Sequence, residues 1–322
     1  MIPETKIVLA PLAGGPSTPE LAAAVSNAGG LGFLAGAYLT PDQLREQVAA
    51  TRGLTSRPIG VNLFVLREQA VDDATLAAYA AELEPEARRL DAELGEPRFD
   101  DDGFDAKLDV VLDSRVEVVS FTFGRPDADV LARVRRAGAA VWLTVTSTDE
   151  AEADADALVV QGAEAGGHRG TWDDRKDETT LAELLAQIRT SLPLVATGGI
   201  ADRDAVRAAL EAGASSVQVG TAFLLCPEAG TGEAYRQALA ARTETAVTRA
   251  FTGRRARGLV NGFMRDHANA PSAYPQIHHL TAPLRAAARA AGDAERFNLW
   301  AGTGVALARE EPAAAVVGRL RP

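Results

Sequence analysis

His168 stands in the run VVQGAEAGGHRG (159–170), with Gly162, Gly166, Gly167 and Gly170 around it and Gln161 seven residues before it. Imidazole has an ordinary pKa of about 6.5, so it can take a carbon-bound proton near neutrality without a large environmental shift. Glycine loses more backbone entropy on folding than any other residue. Four glycines beside one histidine therefore mean one of two things. Either a loop turns sharply and its histidine is incidental, or the backbone passes close to a flat ligand with the imidazole aimed at it. Glu164 is a candidate to orient that ring and equally a solvent-facing charge. No Ser-His-Asp spacing is legible, and no Cys/His cluster has zinc-ligand spacing. The side chains of His278 and His279 diverge as chain neighbours, so no metal is expected.

A second pattern concerns anions. ATGGIAD (196–202) presents Gly198 and Gly199 just ahead of a helix start, and VGTAFL (219–224) presents Gly220 and Thr221. Glycines let backbone N–H groups approach a phosphate, and a helix N-terminus adds partial positive charge. The bland alternative is two tight turns with no ligand. A phosphate held there can belong to FMN, a nucleotide or a sugar phosphate.

These groups need a scaffold. Short apolar, β-branched runs read as strands at 7–11, 31–35, 59–63, 118–122, 141–145, 158–161, 194–198 and 216–220. Helix signals lie between them. STPELAAAVSNAGG offers Ser17 or Thr18 as N-cap and Gly29 as a stop, TPDQLREQVAATRG repeats the pattern from Thr40, and ADRDAVRAALEAGA opens at Asp202. Eight strands alternating with helices, with no Gly-x-Gly-x-x-Gly after the first, predict an α/β chain of the (β/α)8 TIM-barrel type. Pro11, Asn62, Thr122, Gln161, Gly198 and Gly220 then all fall where strands end and loops begin, which is where such barrels keep their chemistry. The expected layout is a barrel over 1–226, a smaller, mainly helical cap over 227–304, and a last helix within 305–322 docking back on the barrel. The charged stretch 83–104 reads as a helical excursion with a solvated face and a turn near Gly95.

The bulk composition narrows the partners. The chain has 322 residues, 47% of them apolar, and a formal net charge of −11 from 33 basic and 44 acidic residues. That balance argues against nucleic-acid or anionic-membrane partners. Cys226 is the single cysteine, which points to a reducing, cytoplasmic setting without an internal disulfide. No signal peptide and no run of about 20 apolar residues is legible. For oligomeric state, a homodimer is the default expectation.

The assembled residues resemble the class I nitronate monooxygenases, formerly called 2-nitropropane dioxygenases. The resemblance runs through APLAGGPSTPELAAAVSNAGGLGFL (10–34), GVNLFV (60–65), VVSFTFGRP (118–126), QGAEAGGHRG (161–170), VATGGIAD (195–202) and VGTAFLLCPEAG (219–230). It continues in FTGRRARGLVNGF (251–263) and LWAGTG (299–304), leaving out 66–115. It implies a barrel that binds FMN without a covalent bond. Pro11, Leu12 and Ala13 would pass along the flavin, and Asn62 and Gln161 would bond its edge. Gly166 and Gly167 would allow close approach, and Gly198, Gly199, Gly220 and Thr221 would hold the phosphate. His168 matches the family's general base or nitro-positioning histidine, with Thr122, Tyr274 and Trp300 on the substrate side. Thr122 stands where the family pattern carries a second histidine, which implies a less basic pocket.

The implied reaction oxidises an alkyl nitronate with O2 to a carbonyl compound and nitrite, one electron passing first to the flavin. Neutral nitroalkanes would enter after deprotonation, and propionate 3-nitronate is a candidate for detoxification. The rival on the same scaffold is an NAD(P)H-dependent flavin reductase acting on a quinone or an enoyl thioester. A third reading is a barrel without flavin that binds a phosphorylated metabolite.

Overall fold

The computed structural model describes residues 5–322. The first half runs β1 (Ile7–Leu9), α1 (Pro19–Asn27), β2 (Gly32–Ala35), α2 (Pro41–Leu54), β3 (Ile59–Phe64), α3 (Asp73–Leu90), α4 (Phe104–Asp113), β4 (Val118–Thr122), α5 (Ala128–Arg136), β5 (Ala140–Val145) and β6 (Ala157–Gln161). It is followed by β7 (Gly167–His168), α6 (Leu181–Gln187), β8 (Leu194–Thr197), α7 (Arg203–Glu211), β9 (Ser216–Val219), α8 (Glu233–Ala241), β10 (Thr245–Thr248), β11 (Ala256–Leu259), α9 (Gly262–Asp266), α10 (Gln276–Ala290) and α11 (Ala313–Leu320).

Eight of the strands pair in parallel in the order β1-β9-β8-β6-β5-β4-β3-β2, and a parallel bridge between Val8 and Leu31 brings the two edges together. The result is the (β/α)8 barrel that the alternation predicts. Each strand is buried on both faces, which is why it reads as a nearly continuous apolar run. Val8, Phe33, Val118, Trp142, Val159 and Val195 fill the lumen. Leu9, Leu34, Val61, Val119, Leu143 and Val217 face outward against the helices. The helix starts follow their caps: Thr18 Oγ1 accepts from Leu21 N–H, Thr40 and Gln43 form a reciprocal capping box, and Asp202 accepts from Ala205 N–H.

The second unit is more mixed than a helical cap. β10 and β11 form an antiparallel hairpin, and β11 also pairs with β7, so that Ala256 lies opposite His168. The stretch 83–104 keeps the solvated face expected of it but also belongs to a helix that buries its other side. Tyr79, Leu83 and Ala87, four residues apart on α3, bury one side of that helix against Phe251, Ile277, Leu280 and Leu284. Most of its charges occupy the other side, whereas Glu86 is buried with its carboxylate 3.3 Å from Arg296 Nε, and Gly95 lies in irregular chain beyond a turn at Asp91, its N–H donating to Leu280 C=O. α11 buries Ala313, Val316, Val317 and Leu320 against the barrel's outer layer, beside α1 and α7. No helix among the described residues is long and apolar enough to cross a membrane.

Candidate active site

The carboxyl ends of the barrel strands open into a cavity of about 190 Å³, walled on the far side by residues of the second unit. Strand register sets its floor: Asn62 stands beside Ser120, and Gln161 beside Thr197. Pro11, Leu12, Ala13, Asn62, Thr122, Gln161, Gly166, Gly167, His168, Gly198, Gly199, Gly220, Thr221 and Trp300 all line it. Tyr274 lies just behind that lining, its ring 5.6 Å from the His168 imidazole.

One end of the cavity is main chain. Gly198 and Gly199 turn from β8 toward α7 at φ of 121° and 70°, in the left-handed region that favours glycine. The N–H groups of Gly198, Gly199, Gly220 and Thr221 find no acceptor in the protein among the described residues. Buried or half-buried main-chain donors rarely stay unpaired, so this is a set of donors awaiting an acceptor. Thr221 Oγ1 accepts from Gly302 N–H at 3.0 Å, leaving its own proton free. Gly166 is glycine for another reason: a Cβ there would sit 2.5 Å from Gly302 N.

Side chains at the strand ends are partly committed to each other. Asn62 Nδ2 donates to Ser120 Oγ at 2.8 Å and Thr122 Oγ1 at 3.0 Å, which leaves Oδ1 without a protein partner. Gln161 Oε1 accepts from Gly170 N–H at 2.8 Å, and Nε2 donates to His168 C=O at 3.1 Å, so this side chain shapes its own loop. Glu164 neither orients His168 nor faces solvent freely; its carboxylate accepts from Leu181 N–H at the start of α6.

His168 is held by β7 and by its side chain. Nε2 lies 2.9 Å from Thr252 Oγ1, and the ring sits among Phe123, Tyr274 and Trp300 at centroid distances of 5.8, 5.6 and 5.5 Å. Burial, and then the guanidiniums of Arg254 and Arg285, push its pKa down to about 3, so the imidazole is neutral at ordinary pH.

Those arginines are a feature that sequence reasoning missed. Arg254 is 5% exposed, lies 4.0 Å above the Phe123 ring and donates to Thr171 C=O. Arg285 donates to Thr281 Oγ1 at 3.0 Å and His278 C=O at 2.8 Å, and burial followed by Arg289 lowers its pKa to about 10. Arg289, one turn later on α10, reaches the cavity wall and donates to Asn298 Oδ1 at 2.5 Å. Among the described residues none of the three pairs with a carboxylate, although the chain as a whole is acidic. Cations drawn out of water without counter-charge make the cavity attractive to an anion. Phe123 and Tyr38, also lining residues, adopt left-handed backbone at φ of 76° and 66°, strain of a kind that collects at functional sites. The place of Phe123 directly after β4 was the available signal.

Comparison with known proteins agrees with this geometry. A family model described as nitronate monooxygenase matches residues 1–322. A nitronate monooxygenase of Pseudomonas aeruginosa is 43% identical, covering 98% of this chain and 94% of its own. One from Paraburkholderia phytofirmans is 40% identical over 98% and 90%. Among solved structures, the nitroalkane oxidase from Streptomyces ansochromogenes superimposes with a TM-score of 0.95 at 48% identity, covering 98% of this chain and 94% of its own. FabK from Thermotoga maritima is more distant, with a TM-score of 0.76 at 28% identity over 98% and 91%.

Proposed function

The chain belongs to the nitronate monooxygenase family and is an oxidoreductase of that family, and from that premise we propose that it oxidises small alkyl nitronates with O2 to carbonyl compounds and nitrite, with FMN resident in the cavity. The observation that carries this reading is the polarity of the site: unpaired main-chain donors at one end of the cavity, and a neutral imidazole and the Arg289 guanidinium on its wall, with Arg254 and Arg285 buried near that imidazole and none of the three paired with a carboxylate among the described residues.

The residues present fit FMN. The N–H groups of Gly198, Gly199, Gly220 and Thr221 are suited to its phosphate. Pro11, Leu12 and Ala13 offer a wall for its body, the free Asn62 Oδ1 offers an acceptor, and Gly167 has nothing within 4 Å of where a Cβ would stand. Bound there, FMN supplies the electron acceptor that the side chains lack.

The protein's own part is electrostatic and positional. Arg254, Arg285 and Arg289 favour a substrate that arrives already anionic. His168, kept neutral, accepts or donates a hydrogen bond at the nitro group without adding charge; Thr252 fixes the direction of its ring. Removing a proton from a neutral nitroalkane would charge a buried His168 near two arginines, so preformed nitronates are the better substrates on this reading. We read the second unit, 227–304 together with α3, as the substrate-side wall that excludes bulk water.

Anaerobic reduction tests the proposal. Flavin-loaded protein should bleach on mixing with a nitronate alone and, once air is admitted, release nitrite in steady state. Bleaching by NAD(P)H alone, with no response to nitronate, would instead establish the reductase reading. Protein that stays colourless with FMN would sink both.

A further inference from the structure

Tyr38 is anchored in a way that ordinary packing does not require. Its backbone is left-handed, which is unfavourable for a residue with a Cβ. Its N–H donates to Asp102 Oδ1 at 3.0 Å, and Asp102, itself at a φ of 61°, has Oδ2 2.8 Å from Lys107 Nζ. Lys107 is 2% exposed and has no other ionic partner among the described residues. A buried ion pair is poor evidence for stability, because desolvation offsets the attraction; its best-attested use is to fix one arrangement. The arrangement fixed here is the Tyr38 ring. It stacks on His278 at 4.3 Å and 7°, meets Phe64 edge-on, and brings its hydroxyl 3.2 Å from the Tyr274 hydroxyl.

The two hydroxyls carry two protons. Their mutual hydrogen bond uses one, and neither oxygen bonds any other protein group among the described residues. One donor is left over beside a cavity that Tyr38 lines. We propose that the Tyr38–Tyr274 hydroxyl pair donates to an oxygen of the bound nitro or nitronate group, and that Asp102, anchored by Lys107, is the positioning residue that holds Tyr38 there; the choice of ligand rests on the function proposed above. Burial raises the Tyr38 phenol to about 12 and Tyr274 well above its ordinary value, so both stay protonated as donors. The device binds anionic oxygen by hydrogen bonding, in a wall already made positive by arginine.

The test uses flavin-loaded full-length protein with two probes: nitrate, a planar and inert anion, by calorimetric titration, and ethyl nitronate by steady-state nitrite release. Tyr38→Phe should weaken nitrate binding and raise KM for ethyl nitronate by roughly ten- to a hundredfold, the cost of losing one hydrogen bond to a charged acceptor, with kcat and flavin content little changed. Asp102→Ala should reproduce that loss, and the double variant should lose nothing further, because both act through one hydroxyl. Asp102→Asn with Lys107→Met keeps an acceptor for the Tyr38 N–H and should recover nearly all of the binding, which also covers an Asp102→Ala protein that fails to fold. Unchanged nitrate affinity in Tyr38→Phe, or no nitrate binding by the unaltered protein, overturns the proposal. Additive losses in the double variant overturn the positioning role. Failure to release nitrite from ethyl nitronate sinks the substrate reading instead, while the nitrate arm still reads the hydroxyl pair.

Discussion

His168 is oriented by the Thr252 hydroxyl at 2.9 Å, while burial and then the guanidiniums of Arg254 and Arg285 oppose its protonation. A base whose pKa is depressed to about 3 stays neutral at every pH above that value. Between about pH 6 and 8 it therefore contributes no titration, and kcat/KM for a preformed nitronate should be flat across that range as far as His168 is concerned. Initial rates at saturating O2 check this. A step near 6.5 that disappears in His168→Asn would mean the imidazole titrates as an exposed one does. The same replacement separates two roles. With a neutral nitroalkane, carbon gains negative charge as its proton leaves, and that charge beside the ring counters the arginines, so a base at His168 is worth having. Nitrite release from nitroethane should fall by about 10²–10⁴ in His168→Asn. Release from ethyl nitronate should fall by less than about tenfold, the size of one neutral hydrogen bond, and flavin content should hold. Equal losses on both substrates would assign His168 to positioning alone.

At the scale of elements, the β8–α7 turn carries the sharpest requirement. An alanine at Gly199 would be forced to a φ of 70°, with its Cβ 3.0 Å from Glu164 Cβ and 3.2 Å from Thr303 Oγ1. Strain of about 1–3 kcal/mol at a turn whose N–H groups face the proposed phosphate should weaken FMN binding by roughly ten- to a hundredfold while far-UV circular dichroism stays unchanged. Quenching of FMN fluorescence on titration with apoprotein measures it, and an unaltered Kd would remove Gly199 from the phosphate site. Elements differed in how far they could be read in advance. Barrel strands such as IGVNLF and AVWLTV were legible because burial on both faces makes them apolar throughout. The hairpin strands TAVT and ARGL were not, since polar residues, an arginine and a glycine give no period-two signal. The buried side of α3 was missed because its charges dominate composition, whereas the spacing of Tyr79, Leu83 and Ala87 decides what it buries. Tyr38 and Arg285 were unreadable for a different reason: their roles arise from contacts with α10 and with Asp102, far away in the chain.

For the molecule as a whole, the two units meet at a seam. There β11 pairs with β7, and Asp174 accepts from Arg249 Nε at 2.7 Å, Ser272 Oγ at 2.7 Å and Arg255 N–H at 3.2 Å. His168 and His278 lie along this seam, and both have pKa values held below the ordinary histidine range. The cause at each is burial first, followed by Arg254 and Arg285 at His168 and by Arg285 and His279 at His278. The folded protein leaves both rings neutral in the window just below 6.5, whereas the unfolded chain protonates them. The unfolded state then binds more protons, so stability rises with pH through that window and is lost as pH falls below 6.5. At pH 5.5 the His168 ring, held at about 3, costs about 1.4 kcal/mol of folding free energy relative to neutral pH, and His278 adds to that loss in the same direction. Asp102 acts in the opposite sense, since its burial raises its pKa, but a carboxylate exerts that effect at lower pH. Urea unfolding at pH 7.5 and 5.5 should show the loss, and His168→Asn combined with His278→Asn should remove most of it. Equal stability of the unaltered protein at the two pH values would mean that the seam admits protons, and with them the water that a closed anion site has to exclude.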